Sequence, residues 1–299
     1  MGKVAFVFSG QGDQHPGMGK ELAENHAAGA DVFAMCDRIR PGTSEQCFSG
    51  TEEELKITAN TQPCLFAMEL AAATVLLEAG VTPDAVAGFS LGEVTAATVS
   101  GIVDRETGFR LVCRRGELMQ REAEKFDTAM AAVVKLTPET VAELCGTYSA
   151  VYPVNFNCPG QITVSGLAEQ MSPFFADVKQ AGGRAIPLKV KGAFHSPFMA
   201  QAAEDFGKVL ETVDFRKGEI TLYSNVTAQP YGEDAAGLLS RQIASPVQWE
   251  RIIRNMIAAG VDTFVEIGPG RTLTNMIKKI DPQVKACDYT EYLREVTAC

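Results

Sequence analysis

Positive charge is scarce in this sequence: 27 lysines and arginines face 37 aspartates and glutamates, for a formal net charge of −10. A nucleic-acid binder needs a basic face to neutralise phosphates, and no lysine/arginine block supplies one, so that class is excluded. Paired cysteines are missing as well. The eight cysteines are scattered without a C-x-x-C, so neither a zinc site nor a thioredoxin-type motif is indicated. Long apolar runs are also lacking. The most apolar region, "LFAMELAAATVLLEAG", is interrupted by Glu69 and Glu78 and is too short for the ~20 apolar residues that a membrane span requires. The opening "MGKVAFVFSGQG" lacks the apolar segment and small-residue cleavage site of a signal peptide and reads as a first core strand. No G-x-x-x-x-G-K-[ST] occurs, and "GQGDQH" lacks the third glycine of a dinucleotide fingerprint, so neither ATP nor nicotinamide chemistry has support. The expectation is a cytoplasmic protein with reduced thiols, without membrane association, metal or cofactor.

What is present is a chain of 299 residues, 46% hydrophobic and 21% charged, long enough for a large core in one or two domains. Up to about residue 125 it alternates strand-like and helix-like segments: "VAFVF", a glycine-rich loop, "GKELAENHAAGADVFAMCDRI" with helical spacing, the long helix "TQPCLFAMELAAATVLLEAG" and the short buried strand "DAVAGF". This alternation predicts a parallel sheet with helices on its faces. From Phe126 the order becomes strand, helix, two strands, helix, strand, the ferredoxin-like β-α-β-β-α-β pattern. Thr137-Pro138-Glu139 starts the first of these helices, with threonine as N-cap and proline at the first helical position. After Gly192 the first pattern resumes. The predicted architecture is a discontinuous α/β-hydrolase-like domain over 1–125 and 193–299, with a ferredoxin-like subdomain inserted at 126–192.

The chemistry centres on "VAGFSLGEVTAAT". "GFSLG" fits the G-x-S-x-G nucleophile elbow, in which a sharp strand-to-helix turn exposes the serine and the glycines allow strand and helix to pack closely. The following helix directs its N–H groups at the same point, which suits an oxyanion. The competing reading makes Ser90 an ordinary helix cap. A serine nucleophile needs a base, and the chain has three histidines. His15 lies in the glycine-rich loop, His26 on a helix where a surface position is expected, and His195 in "KGAFHSPFM" where the chain re-enters the α/β core. Position alone favours His195.

Nine segments, "FVFSGQGDQHPGMG", "TQP", "GFSLGE", "RRGELMQ", "NFNCPGQITVSG", "FHSPFM", "NVTA", "SPVQW" and "EIGPGRTL", run in the order seen in malonyl-CoA:acyl-carrier-protein transacylases, and the chain resembles that family from about residue 4 to about 290. Related are the acyltransferase domains of polyketide and animal fatty-acid synthases. The resemblance implies that Ser90 carries the acyl group and His195 is the general base, with the backbone carbonyl of Gln248 steadying the imidazole. It implies an oxyanion hole from the amides of Gln11 and Leu91, and Arg115 as bidentate partner of the malonyl carboxylate, a task for which lysine lacks the planar fork. Arg114 beside it is expected to be solvated.

Two positions depart from the family pattern. Phe89 stands where a histidine is usual, which removes a polar group near the acyl carboxylate, and Asp13 replaces the usual serine of the glycine-rich loop. Phe194, next to the base, is expected to crowd a methyl group on the malonyl α-carbon. The implied reaction moves malonyl from malonyl-CoA to the thiol of acyl carrier protein through malonyl-Ser90, in a monomer. The alternatives are an acyl hydrolase or an acyltransferase of other selectivity in a polyketide pathway, and Arg115 argues against hydrolysis of simple acyl chains. Because carrier and enzyme are both acidic, docking calls for a local basic patch, for which Arg184, Lys189, Lys191, Lys278 and Lys279 are candidates.

Overall fold

In the computed structural model, residues 2–190 and 192–298 are described. The strands are β1 (Lys3–Phe8), β2 (Ala85–Gly88), β3 (Thr128–Val134), β4 (Val151–Cys158), β5 (Gln161–Leu167), β6 (Arg184–Pro187), β7 (Thr221–Tyr223), β8 (Val261–Ile267) and β9 (Lys285–Asp288). They form two sheets. The first is parallel, ordered β7-β2-β1-β8-β9. Its central strand β1 buries Ala5, Phe6, Val7 and Phe8 completely, as expected of a strand covered by helices on both faces. The second, ordered β4-β5-β3-β6 and antiparallel throughout, carries the helices Pro138–Gly146 and Ala168–Gln180 and is the expected ferredoxin-like subdomain. Thr137 caps its first helix by accepting from the Thr140 amide at 3.2 Å, with Pro138 at the start.

The helix Thr58–Glu78 is buried on all sides from Thr61 to Leu76, so its continuous apolar character reflects a position at the middle of the α/β part. Glu69, which interrupts the run in the sequence, does not face solvent. It is fully buried and accepts from Ser9 Oγ at 2.7 Å and Thr95 Oγ1 at 2.6 Å, while desolvation pushes its carboxyl up to about 8. A buried carboxyl in its neutral form costs far less than a bare charge.

The segment with helical spacing after the glycine-rich loop is two helices rather than one, Lys20–Asn25 and Ala27–Ile39, with His26 extended between them. The second packs directly on the first: a Cβ at Gly29 would lie 2.4 Å from the Leu22 carbonyl oxygen. The break accommodates that close crossing. The helix Ala235–Gln242 and the final β9 with the helix Tyr289–Thr297 add to the elements read from the sequence. Among the described residues no helix is long and apolar enough to cross a membrane.

The two sheets meet where the site forms. The middle of β4 is clamped to the segment before the helix Trp249–Ala258 by Phe156 N–H donating to the Val247 carbonyl and Val247 N–H donating to that of Val154, each at 2.9 Å. This places Asn155 against the C-terminal ends of the parallel strands, where open α/β sheets hold their ligands.

Candidate active site

β2 ends at Gly88 and the helix Gly92–Val99 begins four residues later. The turn between them admits no side chain at either glycine. A Cβ on Gly88 would sit 1.8 Å from the Gly92 carbonyl carbon, and one on Gly92 would sit 2.5 Å from the carbonyl oxygens of Phe8 and Ser9. Ser90, at the apex, is in the left-handed region with φ 56°, a conformation that a non-glycine residue adopts only where its surroundings enforce it. The enforcing groups are clear: Ser90 N–H donates to Asn225 Oδ1 at 2.8 Å, and the Ser90 carbonyl accepts from Gln242 Nε2 at 2.6 Å. No side chain caps the helix. The Ser90 hydroxyl is turned away from it, with Oγ 2.8 Å from His195 Nε2 and accepting from Arg115 Nη2 at 3.2 Å.

His195 is likewise left-handed, with φ 60°, and is buried. Its Nδ1 faces the carbonyls of Gln242 at 2.9 Å and Ser245 at 3.2 Å. Both partners only accept, so the ring proton resides on Nδ1 and Nε2 is left as the acceptor facing Ser90. Desolvation, reinforced by the Arg115 charge, holds the imidazole down at about 4. It is therefore neutral near pH 7 and free to take a proton.

Gln248, which the resemblance named for this contact, does not make it. Gln248 is the N-cap of the helix Trp249–Ala258, and its carbonyl accepts from Ile252 N–H at 3.0 Å. Gln242 instead ends the helix Ala235–Gln242, where the last carbonyls lack partners within the helix and carry the negative end of its dipole. That end also suits the imidazolium that forms when Nε2 is protonated.

Arg115 is 1% exposed. Its Nη1 donates to Gln62 Oε1 at 2.9 Å and its Nη2 to Gln242 Oε1 at 2.6 Å, while Nε has no partner. Burial lowers the guanidinium to about 10, with the Glu93 charge opposing that shift, and it stays charged at neutral pH. Beneath it Glu93 accepts from Gln242 Nε2 at 2.8 Å, Asn225 N–H at 3.0 Å and Tyr231 O–H at 2.7 Å. Desolvation pushes Glu93 up to about 7 against those hydrogen bonds. Arg114 is exposed and paired with Glu117.

Ser90 and His195 open on a cavity of about 80 Å³ lined by Gln11, Phe89, Leu91, Met119, Asn155 and Phe194 among others. The backbone amides of Gln11 and Leu91 have no hydrogen-bond acceptor among the described residues. Phe89 packs edge-on against Trp249, centroids 5.5 Å apart. The cavity shares Gln11, Leu188 and Val190 with a cleft of about 400 Å³ rimmed by His15, Lys56 and Lys189. His15 is exposed and lies in that rim, not at Ser90; His26 sits half-buried at the helix break. Asp13 has a structural use: its Oδ1 accepts from Thr272 Oγ1 at 2.7 Å, tying the glycine-rich loop to the helix Thr272–Ile280. Of the basic candidates, Arg184, Lys189, Lys278 and Lys279 are exposed, and Lys191 lies outside the described residues.

Sequence reasoning assigned no part to Gln62, Glu93, Asn225 or Gln242. The first three lie in the segments "TQP", "GFSLGE" and "NVTA", so their positions were marked, but only the fold brings them together. Gln242 lies six residues before Gln248, outside every marked segment.

Comparison with known proteins bears on this arrangement. The model of the family described as acyl transferase domain matches residues 5–291. A malonyl CoA-acyl carrier protein transacylase of Bacillus subtilis is 38% identical over 293 residues, covering 95% of this chain and 92% of the relative. The crystal structure of a malonyl CoA-acyl carrier protein transacylase from Clostridium perfringens superposes with a TM-score of 0.94 at 36% identity, covering 99% of this chain and 98% of the other. A malonyl-transacylase in complex with its type II polyketide acyl-carrier protein gives 0.94 at 33% identity, over 98% and 99% of the two chains.

Proposed function

The chain belongs to the acyl transferase domain family, and from that premise we propose that it transfers malonyl from malonyl-CoA to the phosphopantetheine thiol of an acyl carrier protein, by way of malonyl-Ser90. The observation that carries this reading is a serine hydroxyl within hydrogen-bond reach of both a neutral imidazole and a buried guanidinium. Its nearly full-length similarity to malonyl CoA-acyl carrier protein transacylases supports the substrate, and the neighbour that holds a carrier protein supports the partner.

In the first half-reaction Ser90 Oγ attacks the thioester carbonyl as His195 Nε2 takes its proton. The oxygen that becomes negative is met by the amides of Gln11 and Leu91, whose unpaired N–H groups suit an oxyanion. Collapse breaks the C–S bond, and the imidazolium returns its proton to the leaving thiolate, releasing CoA. In the second half-reaction His195 deprotonates the carrier thiol, which attacks malonyl-Ser90. Breaking the ester then restores the serine with the proton carried by His195. Arg115 holds the malonyl carboxylate through the edge bearing its unpartnered Nε–H, a pairing that offsets the desolvation of an anion in a closed cavity. Phe89 and Phe194 form apolar walls, Phe194 crowding an α-methyl group. A cation held beside the nucleophile has no use in the hydrolysis of simple acyl chains, which favours transfer over that alternative. The enzyme acts as a monomer in the cytoplasm, with carrier docking on the exposed Arg184, Lys189, Lys278 and Lys279.

The test is to expose the enzyme to an equimolar mixture of malonyl-, methylmalonyl- and acetyl-CoA, trap the acyl-enzyme and identify its mass and position. The expected product is malonyl on Ser90. An acetyl adduct in excess, or an adduct elsewhere, rejects the reading.

A further inference from the structure

Gln242 occupies a junction. Its Nε2 donates to the Ser90 carbonyl and to Glu93 Oε2, its Oε1 accepts from Arg115 Nη2, and its main-chain carbonyl faces His195 Nδ1. The orientation of the carboxamide is set by chemistry, since the Ser90 carbonyl can only accept and the Arg115 guanidinium can only donate. Turning the amide over would set NH₂ against the guanidinium and oxygen against the Ser90 carbonyl. All these groups except Ser90 are buried, where an unmatched polar contact carries its full desolvation cost.

We propose that Glu93 is a positioning residue for the acyl carboxylate, acting through Gln242 to hold Arg115 in the orientation that receives malonyl. The proposal rests on the malonyl reading above and adds to it a residue that touches neither substrate nor nucleophile side chain. Glu93 suits the task because its two oxygens take three donors, Gln242 from the helix Ala235–Gln242 and the Asn225 amide and Tyr231 hydroxyl from the loop that leads into it. An isosteric amide, as in Glu93→Gln, cannot replace it. If the introduced side chain kept its oxygen toward Asn225 and Tyr231, its NH₂ would face the NH₂ of Gln242 and turn that amide over. If it kept its oxygen toward Gln242, the Asn225 amide would meet a donor, and Asn225 holds the Ser90 N–H.

The effect of orientation can be separated from that of charge. Removing the negative charge that Glu93 carries above about pH 7 would by itself strengthen the attraction for an anionic acyl group, so, measured above that pH, a purely electrostatic role predicts that Glu93→Gln improves malonyl-CoA relative to acetyl-CoA. A merely structural role predicts equal losses on both. Orientation through Gln242 predicts that the malonyl-to-acetyl ratio of acyl-serine formation falls roughly tenfold, the scale of one lost hydrogen bond to a charged group. Gln242→Met, which keeps the main-chain carbonyl on His195, should lower the ratio by a similar factor. Glu93→Gln added to Gln242→Met should change the ratio no further, because the path is already cut.

Single-turnover acylation by each thioester, on wild type, the two single variants and the double variant, reads all three outcomes. If Glu93→Gln does not fold, Glu93→Asp retains the charge, withdraws it from Gln242 and should shift the ratio in the same direction. A gain for malonyl, parallel losses on both thioesters, or a further drop of the ratio in the double variant overturns the proposal. Failure of the wild type itself to prefer malonyl rejects the function proposed above, and is distinguishable because it requires no variant.

Discussion

The two sheets bury different chemistry. The parallel part encloses Glu69, Glu93, Arg115, Glu122, His195 and Glu266, whereas the polar side chains buried in the antiparallel part are Asn155, Asn157, Thr163 and Ser165, all neutral. Burying an ionisable group is costly unless it is neutralised or paired, and of these six Glu93, Arg115 and His195 lie at the site. The parallel part supplies the nucleophile, the base and the cation. The antiparallel part has an ordinary apolar core of residues such as Val133, Val164 and Phe174 and lends the site a wall: Met130, Asn155 and Leu188 on one side of the cavity. One region is organised for titration and the other for shape.

That division can be broken first at Ser90. Ser90→Ala should abolish labelling by malonyl-CoA with circular dichroism unchanged, since the hydroxyl takes no part in capping the helix; intact-protein mass spectrometry checks it. Next comes the base. His195→Ala should slow acylation by roughly 10²–10⁴-fold, the usual contribution of a positioned general base, while His15→Ala and His26→Ala stay close to wild type. In the wild type only the neutral ring accepts the serine proton. With His195 held at about 4, acylation by acetyl-CoA, which has no carboxylate for Arg115 and Glu93 to place, should rise with pH through about 4 and be level above it, and an inflection near 6.5 in its rapid-quench rates, the ordinary histidine value, would contradict the burial argument.

A third change sharpens the contrast from the other side. Phe174 is fully buried in the antiparallel core and stacks edge-on with Tyr148 at 5.8 Å. Phe174→Ala should destabilise folding by roughly 3–5 kcal/mol, read by chemical denaturation. The remaining folded enzyme should keep its malonyl preference, because no ionisable group of the site depends on that core.

How far the sequence reveals this division follows from how each residue is held. Ser90 is legible because a strand-to-helix turn with no room for two Cβ atoms leaves a glycine signature. The β-α-β-β-α-β order and the Thr137-Pro138 start are legible because they are local. The partners of Glu69 are not legible, since the two hydroxyls that bond it come from distant segments. Gln242 is illegible for a deeper reason: its contact with His195 is made by the main chain, which any residue possesses. Its side-chain contact with Arg115 spans 127 positions. The resemblance pointed to Gln248, six residues away, and only the course of the intervening turn separates the two carbonyls.

Malonyl selection rests on a buried cation choosing an anionic acyl group, and Arg115→Ala tests it most directly. In a competition between malonyl-CoA and acetyl-CoA, the variant should lose roughly 2–4 kcal/mol in kcat/KM for malonyl-CoA, the scale for removing one partner of a desolvated charge pair. Acetyl-CoA, with no carboxylate to place, should lose far less. Equal losses for the two thioesters would mean that Arg115 supports the fold of the site rather than choosing its substrate, and would contradict selection by charge.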